Sequence, residues 1–256
     1  MSPLRRSTRP SPPPERRDPL LEGWYHTIEF PDGRRSKGYF DHRTVVDRYG
    51  IPASLQGFSA LDVATGDGFF AFEMERRGAD RVVAVDINSV RDADWIPRMR
   101  KLVPETTMDL ETWKEHFEMA HRLLGSSVQR IECNVYELGP DVAGTFDVVF
   151  CGDLLLHLQN PIKALVNIRS VTEGIAIIET PIDVDLERAF PGKPYLRFGA
   201  LDSEQQPGEL NTFWRFSTRG LQDMMVYAGF TDPEAQGVFD LPPHGIPVTS
   251  VVARAG

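Results

Sequence analysis

Ser59-Ala60-Leu61-Asp62-Val63-Ala64-Thr65-Gly66-Asp67-Gly68-Phe69-Phe70 decides the reading of this chain. A short apolar run, Ser59 to Val63, enters a turn of small residues, and an amphipathic stretch from Phe69 to Arg77, stopped by Gly78, leaves it. Arg81 to Asp86 (RVVAVD) is a second continuous apolar run of the kind buried on both faces in parallel sheets. Strand, turn, helix and strand make one βαβ unit, with Asp62 near the end of its first strand and Asp86 at the end of its second.

A turn of this kind serves a nucleotide, because small residues let the backbone approach the ligand. Taken alone it fits a dinucleotide as well as any other nucleotide. Asp86 stands 20 residues after Gly66, where a carboxylate accepts hydrogen bonds from both ribose hydroxyls of an adenosine; capping the next turn is its alternative role. A pyrophosphate calls for the full G-x-G-x-x-G at the helix start, whereas Gly68 is followed by Phe69-Phe70-Ala71.

Outward from this unit, the pattern keeps alternating. A helix is expected from about Leu110 to Leu124, with Trp113, Phe117, Ala120 and Leu124 on one face, then strands over Val128 to Cys133, Phe146 to Cys151 and Ile175 to Glu179. Helices over Pro161 to Val171 and from Ser217 or Thr218 to Gly229, and a closing strand over Val248 to Ala253, complete an α/β doubly wound, Rossmann-like sheet. Residues 1–20 carry five Arg and six Pro and read as a disordered tail. Residues 21–55 read as an N-terminal cap or lid, in which two extended pieces flank a tight turn at Asp32-Gly33 and a helical stretch covers Arg43 to Tyr49. An insertion over 183–213, rich in Pro, Gly and charge, precedes the last helix within a main domain spanning 56–256.

No apolar run approaches the roughly 20 residues that span a bilayer, and no apolar stretch follows Arg5-Arg6, so cytoplasmic residence is the default expectation. Cys133 and Cys151 each close a strand, as buried thiols rather than a disulfide. The net charge of −9 argues against a large nucleic-acid footprint.

The pattern Asp62-x-Ala64-x-Gly66-x-Gly68 resembles the Asp-x-Gly-x-Gly-x-Gly turn of class I methyltransferases, with Ala64 in place of the first glycine. That resemblance implies S-adenosylmethionine as cofactor, held by Asp62, Ala64, Gly66 and Gly68, by Asp86 and Ile87 at the ribose, by Asn134 and Val135 at the adenine, and by Cys151. Gly23-Trp24-Tyr25-His26-Thr27-Ile28, Lys37-Gly38-x-Phe40, Leu156-His157 with Pro161, and Phe213-Trp214-x-Phe216-Ser217 resemble a narrower group, the bacterial methyltransferases related to the wobble-uridine tRNA carboxymethyltransferase. Leu156 replaces the Tyr which in that enzyme helps recognise a carboxylated donor, so plain S-adenosylmethionine and a small-molecule acceptor are expected, with tRNA the alternative.

In this fold, methyl donor and acceptor meet at the loop Cys151-Gly152-Asp153-Leu154-Leu155-Leu156-His157. His157 is the candidate general base, since imidazole titrates near neutrality; packing against the sheet is its other role. Asp153 either orients the acceptor or caps a helix. Trp24, Tyr25 and His26 are candidate acceptor contacts from the cap, and Trp214 and Arg215 from the insertion, where Arg215 would favour an anion. Lys37 and Arg43 are candidates for the cofactor carboxylate, with surface placement the default. Glu179 ends a strand near the cleft, and no metal motif is present. A second copy of the chain is a further partner this reading allows.

Overall fold

The computed structural model describes residues 21–105, 112–199 and 211–256. The expected tail over residues 1–20, the start of the helix at Leu110 and the part of the insertion over residues 200–210 lie outside the described residues.

The centre of the molecule is the expected βαβ unit: β3 (Ser59–Val63), α1 (Phe69–Arg76) and β4 (Arg81–Asp86), after two short strands of the cap, β1 (Trp24–His26) and β2 (Gly38–Phe40). There follow α2 (Pro97–Arg100), α3 (Thr112–Leu124), β5 (Gln129–Glu132), α4 (Pro140–Ala143), β6 (Phe146–Cys151), α5 (Pro161–Ser170) and β7 (Thr172–Pro181). The chain closes with α6 (Val184–Ala189), β8 (Leu196–Phe198), β9 (Trp214–Phe216), α7 (Thr218–Tyr227), β10 (Phe230–Leu241) and β11 (Ile246–Ala255). The main sheet runs β10-β11-β7-β6-β3-β4-β5, parallel from β7 through β5, with β11 antiparallel to both its neighbours. The strand order reverses at β3 and β6, so their carboxyl ends open a crevice, the usual ligand position in doubly wound sheets.

Alternation along the strands divides the core into two layers. Leu61, Val63, Val83, Val85, Val149 and Cys151 face a layer built with α5 and α7 (Ala164, Leu165, Ile168, Leu221, Met225). Ala60, Val82, Ala84, Val148, Phe150 and Ile177 face the other, with α1, α3 and the cap (Ala71, Met74, Phe117, Ala120, Trp24, Tyr49). Cys133 and Cys151 are both buried and free. No helix among the described residues is long and apolar enough to cross a membrane.

The differences from expectation are local. Arg43 to Tyr49 is not one helix but two 3₁₀ turns, His42–Thr44 and Val46–Arg48, the first capped by Asp41. Asp32-Gly33 does turn the chain, with an antiparallel bridge from Glu29 to Arg35, but β1 and β2 themselves pair in parallel. A side chain at Gly38 would overlap the backbone of His26 and Thr27, so glycine is what lets β2 lie this close. Between 183 and 213 the described parts are ordered: Asp183 caps α6 through the amides of Asp185 and Leu186, and β8 pairs with β9. The long strand β10 carries little apolar alternation and has no counterpart among the expected strands; it is an edge strand built on β11.

Candidate active site

Each part of the turn after β3 has a mechanical role. Asp62 is buried and its Oδ2 accepts from Thr65 Oγ1 (2.6 Å) and Ala71 N (3.0 Å), tying the turn to the first turn of α1. Burial pushes its carboxyl up to about 7. Ala64 and Gly66 sit in left-handed conformations (φ 60° and 58°). A side chain on Gly66 would project into open space with only His26 Cε1 within reach, at 3.8 Å, so glycine leaves a cradle beside the turn. Gly68 (φ 97°) instead serves packing, because a side chain there would overlap the Phe72 and Phe117 rings.

Asp86 crosses from β4 to this turn, its Oδ2 accepting from Gly66 N and its Oδ1 from Ile87 N, both at 2.8 Å. Burial raises it to about 6 against these two bonds, and each oxygen keeps a lone pair for a ligand. Asn134 caps the 3₁₀ turn Val135–Glu137 through Tyr136 N (3.0 Å) and donates to Asp92 O (3.5 Å).

These groups line one cleft of about 370 Å³. Its lining includes Ala64, Gly66, Asp86, Ile87, Asn134 and Val135, together with Tyr25, His26, Asp153, His157 and Glu179. Asp62, Trp113 and the segment Asp92-Ala93-Asp94-Trp95 also contribute. Phe70 and Phe150, stacked with ring centroids 4.0 Å apart, line it from the sheet side.

Tyr25, His26, Asp67, Asp153 and Glu179 form a hydrogen-bonded assembly drawn from four distant segments. Asp67 accepts from the amides of Tyr25 (3.0 Å) and His26 (2.8 Å) and from the His26 ring, fastening β1 over the turn. The Tyr25 hydroxyl donates to Asp153, and burial followed by that charge drives the phenol well above its ordinary value. Asp153, at φ 50°, caps no helix; its amide donates to Glu179 Oε2 at 3.1 Å. Burial raises the carboxyls of both Asp153 and Glu179, and in Glu179 the charge of Asp153 adds to it. His157 rests its Nδ1 3.1 Å from the Asn211 carbonyl, which assigns the proton to Nδ1 and leaves Nε2 with a lone pair.

Seven expected contacts lie off the cleft wall. Lys37 pairs with Glu22 on the surface, and Cys151 points into the α5 and α7 layer, because neighbours along a strand face opposite ways. Trp24 is buried against His116 and Phe30. Trp214 donates Nε1 to Leu158 O, and Arg215 lies across from Arg197 in the β8–β9 ribbon, its charge reaching Asp153. Gly68 is the sixth, and Arg43, held by Asp41 and Glu29, is the seventh. The expectation passed over His42, Asp67, Phe70 and Asn211. Phe70 stood inside the quoted turn and Asn211 beside the Trp214 motif, but no local spacing marks their place on the cleft, nor that Asp67 in the same turn would hold the cap. Among the described residues no group of three or more His, Cys, Asp or Glu is arranged to hold a metal.

A nucleoside-sized crevice at the switch point of a doubly wound sheet, with an acidic residue closing its second strand, defines a nucleotide-dependent α/β protein. The profile of the methyltransferase domain family matches residues 30–234, and the chain belongs to that family. It is 27% identical over 181 residues to a tRNA U34 carboxymethyltransferase of Pseudomonas syringae pv. tomato, an alignment covering 70% of this chain and 47% of that one. The chain thus spans about half the length of the curated relatives it matches. The crystal structure of the N-terminal domain of EvdMO1 in the presence of SAH and D-fucose aligns with a TM-score of 0.58 at 18% identity, covering 92% of this chain and 93% of that one. The magnesium protoporphyrin IX methyltransferase of Synechocystis, solved with bound SAH, aligns with a TM-score of 0.52 at 16% identity, covering 84% and 81%. These likenesses carry the fold.

Proposed function

We propose that this methyltransferase takes its methyl group from S-adenosylmethionine and transfers it to an oxygen or nitrogen atom of a small molecule. The cofactor reading is supported by the open cradle at Gly66 and by the lone pairs that Asp86 keeps beside it, which match an amino acid moiety and two ribose hydroxyls. Asn134 and Val135 would face the adenine, with Ile87 at the ribose. When bound, the cofactor supplies an electrophilic methyl on a sulfonium.

The chain's own residues align and deprotonate. Tyr25 and Asp153 join the cap to the loop after β6, which holds the acceptor in line and restricts water; such positioning is worth several kcal/mol. Nε2 of His157 is placed to take the acceptor's proton, with Nδ1 anchored on Asn211 O.

The observation that carries the small-molecule reading is the lack of basic side chains in the described cleft lining. Among the described residues the wall presents Asp62, Asp86, Asp92, Asp94, Asp153 and Glu179, and neither Lys nor Arg. A polyphosphate chain is held mainly by Lys and Arg, so this lining disfavours a nucleic-acid strand at the transfer site. The likeness to enzymes named for tRNA U34 keeps tRNA as the second reading. Incubation with methyl-labelled S-adenosylmethionine, with total tRNA in one arm and a small-molecule extract in the other, tests both. Label is expected in the small-molecule fraction; label confined to ribonuclease-sensitive material would overturn the proposal.

A further inference from the structure

Glu179 is the carboxyl of the cleft whose position its own surroundings do not explain. It is 1% exposed, and it ends the part of β7 that reaches the cleft. Its Oε2 takes the Asp153 amide, while Oε1 is buried with no hydrogen-bond partner among the described residues. A buried acceptor left unmatched costs roughly 1–3 kcal/mol, and more when charged, so its retention at a cleft wall calls for a ligand group. Gly152 belongs to the same arrangement: a side chain there would press on Phe150 and on Glu179 Oε2, at 2.9 and 3.1 Å.

Asp153 and Glu179 differ in what balances them. Asp153 has the Tyr25 hydroxyl and the charge of Arg215. Glu179 faces the charge of Asp153 and receives only that residue's N–H. A neutral hydroxyl donated to Oε1 would satisfy its lone pair and leave two carboxyls in apposition; a cation with an N–H donor answers both. His42, also on the cleft wall, has its Nδ1 2.6 Å from the Tyr49 hydroxyl and its Nε2 buried with no partner among the described residues. Burial keeps this imidazole neutral, so it adds no competing positive charge. Tyr25, Phe70 and Phe150 supply the aromatic walls that suit an organic cation.

We propose that Glu179 Oε1 binds a protonated amine of the acceptor molecule, making the substrate an amine-bearing small molecule. The inference rests on the reading of the cleft as the methyl-transfer site; the ammonium that docks here need not be the atom methylated.

Binding of phenethylammonium and of its uncharged counterpart 2-phenylethanol to the full chain saturated with S-adenosylhomocysteine, followed by tryptophan fluorescence or calorimetry, tests it. The amine is expected to bind at least tenfold more tightly than the alcohol, and Glu179→Gln, which preserves shape, to reduce that preference to within about threefold. Alcohol binding equal to amine binding, or an amine preference untouched in Glu179→Gln, overturns the proposal. So does a thermal shift produced by Mg²⁺ or Mn²⁺ alone and abolished by the same substitution, which would make the pair a cation site. Should Glu179→Gln fail to fold, Gly152→Ala provides the readout: narrowing the space beside Glu179 must weaken the amine more than the alcohol, and equal weakening counts against the proposal. S-adenosylhomocysteine binding by the unmodified chain is measured first. Its failure sinks the methyltransferase cleft reading, whereas its success without amine preference sinks only this inference.

Discussion

His157 illustrates how one contact decides a residue's capability. Held through Nδ1 by the Asn211 carbonyl, its ring lines the cleft with the Nε2 lone pair left to accept a proton. Replacement by Gln keeps much of the volume and removes the base, so kcat is expected to fall by about 10²–10⁴ while S-adenosylhomocysteine affinity stays within about threefold. The limb of the kcat/KM profile due to the imidazole should vanish as well; a packing role alone would lower stability and leave the profile's shape intact. Ala64 is a residue-scale compromise of another kind. At φ 60° an alanine pays roughly 1–2 kcal/mol in crowding of its Cβ, while glycine would lose about 0.4–1 kcal/mol through unfolded-chain entropy. Ala64→Gly is therefore expected to stabilise the protein by about 0.5–1 kcal/mol, measurable as a higher denaturation midpoint. An unchanged or lower midpoint would mean that the neighbouring turn has adapted to the methyl group.

At the scale of elements, the cap is fastened by Asp67 more than by the pairing of β1 with β2. One buried carboxylate receives two amides and an imidazole from Tyr25 and His26, and so couples the start of the chain to the turn before α1. Asp67→Ala strands three buried polar groups. A loss of about 2–4 kcal/mol is expected in urea denaturation, with faster hydrogen exchange at the Tyr25 and His26 amides than in the sheet. Exchange rising equally in β3 and β6 would show global loosening instead. The elements also mark what sequence pattern can reveal. Continuous apolar runs made β3, β4 and β6 legible to the residue, because a strand buried on both faces admits few polar side chains. β10 escaped because an edge strand exposes one face and one row of backbone groups, which leaves its side chains largely unconstrained.

For the whole molecule, the concentration of buried carboxyls at one end of the sheet has a consequence for stability. A carboxyl whose folded value is raised keeps its proton in the folded chain where the unfolded chain has lost it, so its contribution is full at low pH and falls as pH rises through the folded value. Asp62 at about 7, together with the raised Glu179, places part of that loss above pH 6.5. His42 and His116, whose values burial lowers, act in the opposite direction: their imidazoles are half titrated at 6.5 in the unfolded chain, so they offset the Asp62 loss in the lower part of this interval. Asp62→Asn should therefore make the slope of stability against pH between about 6.5 and 8 less negative than in the unsubstituted ligand-free protein; denaturation midpoints across the interval check it. A slope unchanged by the substitution would place the proton elsewhere. A saturating cofactor product at 100 times its Kd should add about 2.7 kcal/mol at either pH if it binds both protonation states alike.

The amino-acid sequence by itself determined the order of the central elements, the turn after β3, and the carboxylates Asp62 and Asp86 beside it, because these follow from periodicity and from spacing within a single βαβ unit. Only the tertiary structure decided which side chains share the cleft. It turned Cys151 and Trp24 into the core, paired Lys37 with Glu22, and brought Tyr25, His42, Asp153 and Glu179 to one wall. Those four residues come from separate segments of the chain, and their proximity follows from strand order and from the docking of the cap, long-range arrangements that leave no local periodic trace.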